Sequence, residues 1–345
     1  MSEIHFRMKL LSIFTNFLHH LPSEFSHNIA LKGLKILNIL GILKIFFRGN
    51  KYDFDFDERD LRNHPNMVGI AAGLDKNGDY IDSLAALGVG FIEVGTITPK
   101  AQKGNPKPRI FRNLQQGSLL NRLGFNNKGV DYLVANLKNK KSKILVGTSI
   151  GKNFDTPNER AAEDYIYCLE KVYEYSDYIA INISSPNTKN LRDLSQEVPF
   201  NALLKILKKK QNLLSQAHGY KPIFVKISPD ESAKGLSAIC KSIKENSLDG
   251  IICSNTTIDH KDENGMGGVS GKPLTEKAIN NLVKVREILG NDLTVIASGG
   301  VMSAQDYVDR INKGANFVQL YTGLIFEGPK LIADIVNLSS NSRNT

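Results

Sequence analysis

Short runs of apolar and β-branched residues recur between positions 66 and 321, separated by longer stretches whose apolar positions fall three and four apart. The runs are VGIAA (68–72), FIEVG (91–95), ILVGTSI (144–150) and YIAINI (178–183). They continue as IFVKI (223–227), GIIC (250–253), TVIAS (294–298) and FVQLY (317–321). Between them, 159–175 carries Ala162, Ile166, Leu169 and Val172, and 200–214 carries Leu203, Ile206 and Leu213, at helical spacing. Eight strands alternating with helices predict an α/β fold, a closed parallel (β/α)8 TIM barrel. An open doubly wound sheet is the rival, weakened because no G-x-G-x-x-G follows the first strand.

The first fifty residues have a different pattern. Phe6, Leu10, Ile13, Phe14, Phe17 and Leu18 recur at helical spacing, and a second segment from Phe25 to Leu43 carries Ala30, Leu34, Leu37 and Leu40. The break lies in HHLPSE (19–24), where Pro22 cannot continue a helix. Arg7, Lys9, Lys32, Lys35, Lys44 and Arg48 face only Glu3 and Glu24. The longest charge-free apolar run, Ile36 to Leu43, is far short of the ~20 residues that span a bilayer. Glu3 and the lack of an A-x-A site also argue against a secretory signal. The expectation is an amphipathic helix pair over 1–50, either a lid or a membrane-surface element, ahead of a barrel domain over 51–345.

Composition adds little. At 345 residues with 41% hydrophobic and 23% charged positions, the chain reads as an ordinary globule with one large domain and an appendage. Cys168, Cys240 and Cys253 are far apart with no C-x-x-C, so no metal site or disulfide framework is expected, and a reducing compartment fits. The formal charge of +9 points to anionic partners: nucleic acid, a membrane surface or small acids.

In a barrel of this kind the chemistry sits at the C-terminal ends of the strands. Those ends carry GLDK (73–76), Gly95–Thr96, Ser149, then Asn182, Ser185 and Asn187. Lys226, Ser254–Asn255–Thr256, Gly299–Gly300 and Tyr321–Thr322–Gly323 follow. Two lysines, amides, hydroxyls and bare glycine backbone suit a flat, polar, anionic ligand. The glycines after strands seven and eight suit a phosphate held by backbone amides. Lys226 would sit beside the ring system of such a phosphorylated cofactor. Within INISSPNT (181–188), the turn formers after the strand read equally as a helix cap.

AAGLDKNG (71–78), IEVGTITPK (92–100), NRLGFNNKG (121–129), INISSPNT (181–188), SNTT (254–257), GGVSG (267–271) and QLYTG (319–323) together resemble the dihydroorotate dehydrogenases, in family order from about residue 60 to 335. The helix pair, and serine rather than cysteine at 185, resemble the membrane-associated, quinone-dependent class 2. The resemblance implies FMN in the barrel mouth and oxidation of dihydroorotate to orotate in pyrimidine (UMP) biosynthesis, with ubiquinone or menaquinone as final acceptor. It implies FMN contacts from Ala71, Ala72, Gly73, Leu74, Asp75, Thr96, Ser149, Asn182, Lys226 and Ser254. Gly271, Gly300, Tyr321 and Thr322 complete that set, the last three near the phosphate. Dihydroorotate would be held by Lys76, by Asn121, Arg122, Leu123, Gly124 and Phe125, and by Asn182, Asn187, Asn255 and Thr256.

The same resemblance makes Ser185 the general base, with Pro186 restraining its backbone, and places Arg112 and His27 along a quinone tunnel. Two positions depart from the family pattern: Ser149 stands where asparagine is usual and Ser254 where threonine is commoner. A peripheral monomer on the cytoplasmic face of the inner membrane, docked on anionic lipid and binding no nucleic acid, is the expected setting. The FMN-dependent dihydrouridine synthases are the rival flavoenzymes; a catalytic cysteine and a C-terminal RNA-binding domain would mark them.

Overall fold

The structure, a computed structural model, describes residues 13–47, 66–188 and 191–341. Phe6, Leu10, Arg7, Lys9 and Arg48 of the expected helix pair, His64, and the expected boundary at 50/51, lie outside the described residues.

The helix pair is present. Helix α1 (residues 13–19) ends before Pro22, and α2 (Ser23–Ile39) begins directly after it. The expected single helix to Leu43 is instead broken. Gly41 adopts a φ of 73°, a left-handed conformation that glycine takes without a Cβ penalty, and a short α3 (Ile42–Phe46) follows.

The barrel elements then run in chain order. They begin with β1 (Val68–Ile70), α4 (Ile81–Ala85) and β2 (Phe91–Ile97). An excursion β3 (Ile110–Asn113) and β4 (Ser118–Asn121) precedes α5 (Val130–Asn139), β5 (Leu145–Ile150), α6 (Ala161–Val172) and β6 (Tyr178–Asn182). After α7 (Glu197–His218) come β7 (Ile223–Lys226), α8 (Ala233–Glu245) and β8 (Gly250–Cys253). The chain continues through β9 (Gly268–Gly271), α9 (Thr275–Leu289), β10 (Thr294–Ser298) and α10 (Ala304–Asn312). It closes with β11 (Phe317–Leu320), α11 (Thr322–Glu327) and α12 (Lys330–Asn341).

Strands β1, β11, β10, β8, β7, β6, β5 and β2 pair in that order, all parallel, and β2 returns to β1 to close the barrel. All eight runs read from the sequence are therefore the barrel strands. Their interior is filled from below by Phe91, Tyr178, Phe224 and Phe317, packed edge to face at 5.4–6.3 Å. Gly69 and Gly147 make room for this layer: a Cβ on Gly147 would lie 1.9 Å from the Tyr178 ring. The layer closes the barrel floor and leaves the open end for ligands.

The sequence pattern did not reveal a second sheet. Strands β3, β4 and β9 form an antiparallel three-stranded sheet, Ser118 opposite Gly271 and Asn121 opposite Gly268. Of the segments that carry the family resemblance, GGVSG supplies β9 and NRLGFNNKG starts at the last residue of β4, in this roof over the barrel mouth.

Candidate active site

Directly above the aromatic floor lies a buried polar layer. Glu93 on β2 is fully enclosed; its carboxylate faces the Lys226 ammonium at 3.5 Å and accepts from Tyr178 Oη at 3.1 Å and Gln319 Nε2 at 2.7 Å. The carboxylate thereby pairs the lysine's charge with two further donors around it. The Gln319 side-chain oxygen is buried without a partner, and the residue lines the cleft above.

The next layer up is a web of amides and hydroxyls. Asn182 donates to Thr96 Oγ1 at 2.8 Å, while its oxygen accepts from the Ser184 amide and hydroxyl at 3.2 and 3.1 Å. Asn255 Nδ2 donates to Ser184 Oγ at 3.0 Å, so strands β6 and β8 are tied together at their ends. Ser149 is buried behind this web, its hydroxyl 2.9 Å from Thr96 Oγ1. It does not face the cleft; it orients Thr96, which does.

Ser185 forms one wall. Its Oγ accepts from the Asn187 amide at 3.3 Å, so the capping reading of SSPNT and the catalytic one describe the same atom. That N–H stabilises any negative charge gathering on the oxygen. Ser185 and Asn187 line both the main cleft and a shallower outer groove beside His260, which places the hydroxyl between interior and solvent. Asn187 donates to the Asn121 carbonyl and side-chain oxygens, both at 3.1 Å, and Asn121 donates to the Gly268 carbonyl at 3.2 Å. The roof sheet is thereby pinned to the loop after β6.

At the other side Lys76 donates to the Gly73 carbonyl at 2.7 Å, and burial, with a smaller push from Arg109, pulls its pKa down to about 8. Asp75 is turned away from the cleft: its carboxylate takes the amides of Asp79 and Tyr80 at 3.0 and 2.8 Å, and burial pushes its pKa up to about 6. Gly299, Gly300, Thr322 and Gly323 line the far end, with Thr322 Oγ1 bound to Ser270 Oγ at 2.8 Å. A Cβ on Gly323 would lie 2.1 Å from the Val301 carbonyl, so backbone alone fits there.

The cleft, counted out to its open mouth, spans about 950 Å³. Of the expected site residues, Ala71, Ala72, Gly73, Lys76, Thr96, Asn121, Leu123, Gly124, Phe125 and Asn182 line it. So do Ser185, Asn187, Lys226, Ser254, Asn255, Thr256, Gly300, Tyr321 and Thr322. Leu74, Asp75, Arg122, Ser149 and Gly271 do not. Arg122 stacks on Phe111 with its guanidinium carbon 4.7 Å from the ring centroid, and Gly271 packs against the Gly117 carbonyl and Thr322. Glu93 and Gln319 escaped the strand-end reading because they sit inside strands. Polar residues in the middle of FIEVG and FVQLY were the available signal.

A second cleft of about 1300 Å³ lies between the helix pair and the barrel, lined mostly by leucine, isoleucine and phenylalanine. Leu74 belongs here, and Asn121, Ser270 and Tyr321 form the wall shared with the main cleft. His27 lies in it; burial, aided by Lys76, lowers its pKa to about 3, so it is neutral. Arg112 also lines it. Its guanidinium donates to the carbonyls of Leu18, His19 and Leu21 at 3.3, 2.9 and 3.4 Å and to Ser26 Oγ at 2.7 Å. Arg112 therefore clasps both helices onto the barrel as well as facing the cleft.

A family profile described as "Dihydroorotate dehydrogenase" matches residues 61–339. A protein of Methylobacillus flagellatus named "Dihydroorotate dehydrogenase (quinone)" is 45% identical over 335 residues, 94% of this chain and 98% of that one. One of the same name from Coxiella burnetii is 48% identical over 288 residues, 81% of this chain and 83% of its own. The solved structure of DHODH from Eimeria tenella in complex with ferulenol aligns with a TM-score of 0.78 at 31% identity, covering 93% of this chain and 91% of that one.

Proposed function

The chain belongs to the dihydroorotate dehydrogenase family, in its quinone-dependent class, and from that premise we propose that it oxidises (S)-dihydroorotate to orotate with FMN as hydride acceptor and a membrane quinone as final acceptor. The observation that carries this reading is a hydroxyl, Ser185, set among asparagine amides across one cleft from a buried lysine, Lys226. The setting follows: pyrimidine (UMP) biosynthesis, by a peripheral monomer on the cytoplasmic face of the inner membrane. Among the described residues no helix is long and apolar enough to cross a membrane.

The cleft fits FMN on its own terms. Gln319 and Thr256, each with a buried side-chain oxygen that has no partner, line the cleft a polar ring system would fill, and Gly299, Gly300 and Gly323 present bare backbone at its far end. Thr96, Asn182, Lys226 and Ser254 would hold the ring, and Gly300, Tyr321 and Thr322 the phosphate. FMN, when bound, supplies the acceptor for the hydride from substrate C6 and passes the electrons on. Lys226 would balance the negative charge gained on reduction.

The rest is done by side chains of this chain. Lys76 offsets the substrate carboxylate, and Asn121, Asn187 and Asn255 pair with the edges of its cyclic amide. Ser185 Oγ takes the C5 proton as its own proton passes toward the outer groove, and the C5–C6 bond becomes double. The apolar cleft would admit the quinone from the bilayer side, beneath helices whose exposed faces carry Phe14, Phe17, Phe25, Ile36 and Leu40.

Purified protein should be yellow, release FMN rather than FAD on denaturation, and convert dihydroorotate to orotate when a quinone analogue is supplied. Release of another flavin, or of none, overturns the cofactor; FMN without orotate formation overturns the substrate.

A further inference from the structure

Arg310, in the last turn of α10, is fully buried. Its Nη2 donates to the carbonyls of Gly299 at 3.0 Å and Thr275 at 3.2 Å, while Nε and Nη1 are buried without a partner. The two nearby carboxylates are engaged elsewhere. Asp306 takes the amides of Met302 and Ser303 and the Ser303 hydroxyl, and Asp309 takes the Gln305 amide. A guanidinium does not shed its proton, so a full positive charge stands here with no paired carboxylate among the described residues. A buried charge of that kind is costly unless an anion answers it.

Its position says where that anion would be. The two carbonyls it holds belong to the loop after β10 and to the first residue of α9, which meet at Gly300: a Cβ there would lie 2.4 Å from Thr275 Cα. In a trans peptide the C=O and N–H point in opposite directions. Drawing the Gly299 carbonyl onto Arg310 therefore turns the Gly300 N–H away from it, and Gly299 and Gly300 line the end of the main cleft. The cation stands behind a backbone cradle and fixes its direction.

We propose that Arg310 is a positioning residue for the cofactor phosphate, holding the Gly299–Gly300 peptide with its N–H toward the cleft and supplying the counter-charge behind it. This rests on the FMN reading above. It also differs from a packing role, because only a ligand bearing the phosphate feels it.

The test uses the full-length chain stripped of flavin and titrated with FMN and with riboflavin, which lacks the phosphate, following flavin fluorescence. Wild type should prefer FMN. Arg310→Met, similar in length but uncharged, should lose about tenfold or more of that preference, with riboflavin affinity kept. Arg310→Lys, which keeps the charge, should retain most of it. A wild-type FMN-to-riboflavin ratio in Arg310→Met, or equal loss of both ligands, overturns the proposal. No preference in the wild type would instead overturn the FMN reading. If Arg310→Met does not fold, Arg310→Gln, which keeps a donor for the Gly299 carbonyl without the charge, is held to the same ratio.

Discussion

The cleft at the barrel mouth is lined largely by asparagine, serine, threonine, lysine and glycine, whereas the cleft beneath the helix pair is lined mostly by leucine, isoleucine and phenylalanine, with His19, His27 and Arg112 among a minority of polar side chains. They meet at Asn121, Ser270 and Tyr321. A hydrophilic acid and an apolar quinone need opposite solvation, and under the proposed function each would take its own side of this wall. The first is built on rigid strand ends. The second depends on helices clasped on by Arg112, by Glu24 with Arg109 at 2.8 Å, and by Lys35 with the Asp79 carbonyl at 3.1 Å.

Separate clefts predict separable half-reactions. The largest effect is expected for Ser185→Ala: flavin reduction by dihydroorotate should slow by ~10²–10⁴. Reoxidation by quinone should keep its rate, and anaerobic stopped-flow measurement of each step checks both. Loss of both would merge the two clefts into one functional unit.

Arg112→Ala should slow reoxidation by about tenfold, the equivalent of ~1.4 kcal/mol. Its clasp on both helices means the substitution also loosens the pair, so limited proteolysis should cut near residues 19–22 faster than in wild type. A mutant slow in reoxidation yet unchanged in proteolysis would assign Arg112 to the quinone alone.

Two pH effects follow, one from each cleft. Lys76 loses its proton near pH 8, so capture of dihydroorotate at low concentration should weaken as pH rises through 8, toward tenfold per unit. Reduction at saturating substrate should not fall, since alkali favours proton loss from Ser185. A kcat/KM for reduction flat to pH 10 would remove Lys76 from carboxylate binding. His27 is neutral when folded down to about pH 3 but titrates at 6.5 when exposed. The unfolded helix thus binds a proton that the folded one refuses, and this contribution to stability is lost as pH falls below 6.5. Urea midpoints at pH 7 and 5 should converge in His27→Leu relative to wild type.

The polar cleft was legible in the sequence and the apolar one was not, for a physical reason. Parallel strands deliver their last residues to one mouth, so reading eight ends located Lys76, Asn182, Ser185, Lys226 and Asn255 together. Leu31, Leu74, Leu119 and Leu324, which all line the second cleft, come from four separate segments. As leucines they carry no mark that distinguishes a cleft wall from core. The roof sheet was missed because β3 (IFRN), β4 (SLLN) and β9 (GVSG) mix polar residues and glycine into four positions, without the continuous apolar run that marked barrel strands of the same length. Ser149, which departs from the family's usual asparagine, shows the limit of motif transfer: its hydroxyl meets Thr96 rather than the cleft.

The central claim, two clefts for two half-reactions, is tested most directly at Gly33. This residue of α2 lines the apolar cleft, and a Cβ placed on it meets nothing within 4 Å. Gly33→Phe starts from a Cβ in open space at this cleft and is the substitution expected to plug it. In anaerobic double mixing, dihydroorotate should bleach the flavin at the wild-type rate, and a long-chain quinone analogue should restore the colour about tenfold or more slowly. Wild-type reoxidation in a folded, plugged protein, or slowed bleaching, would contradict the account.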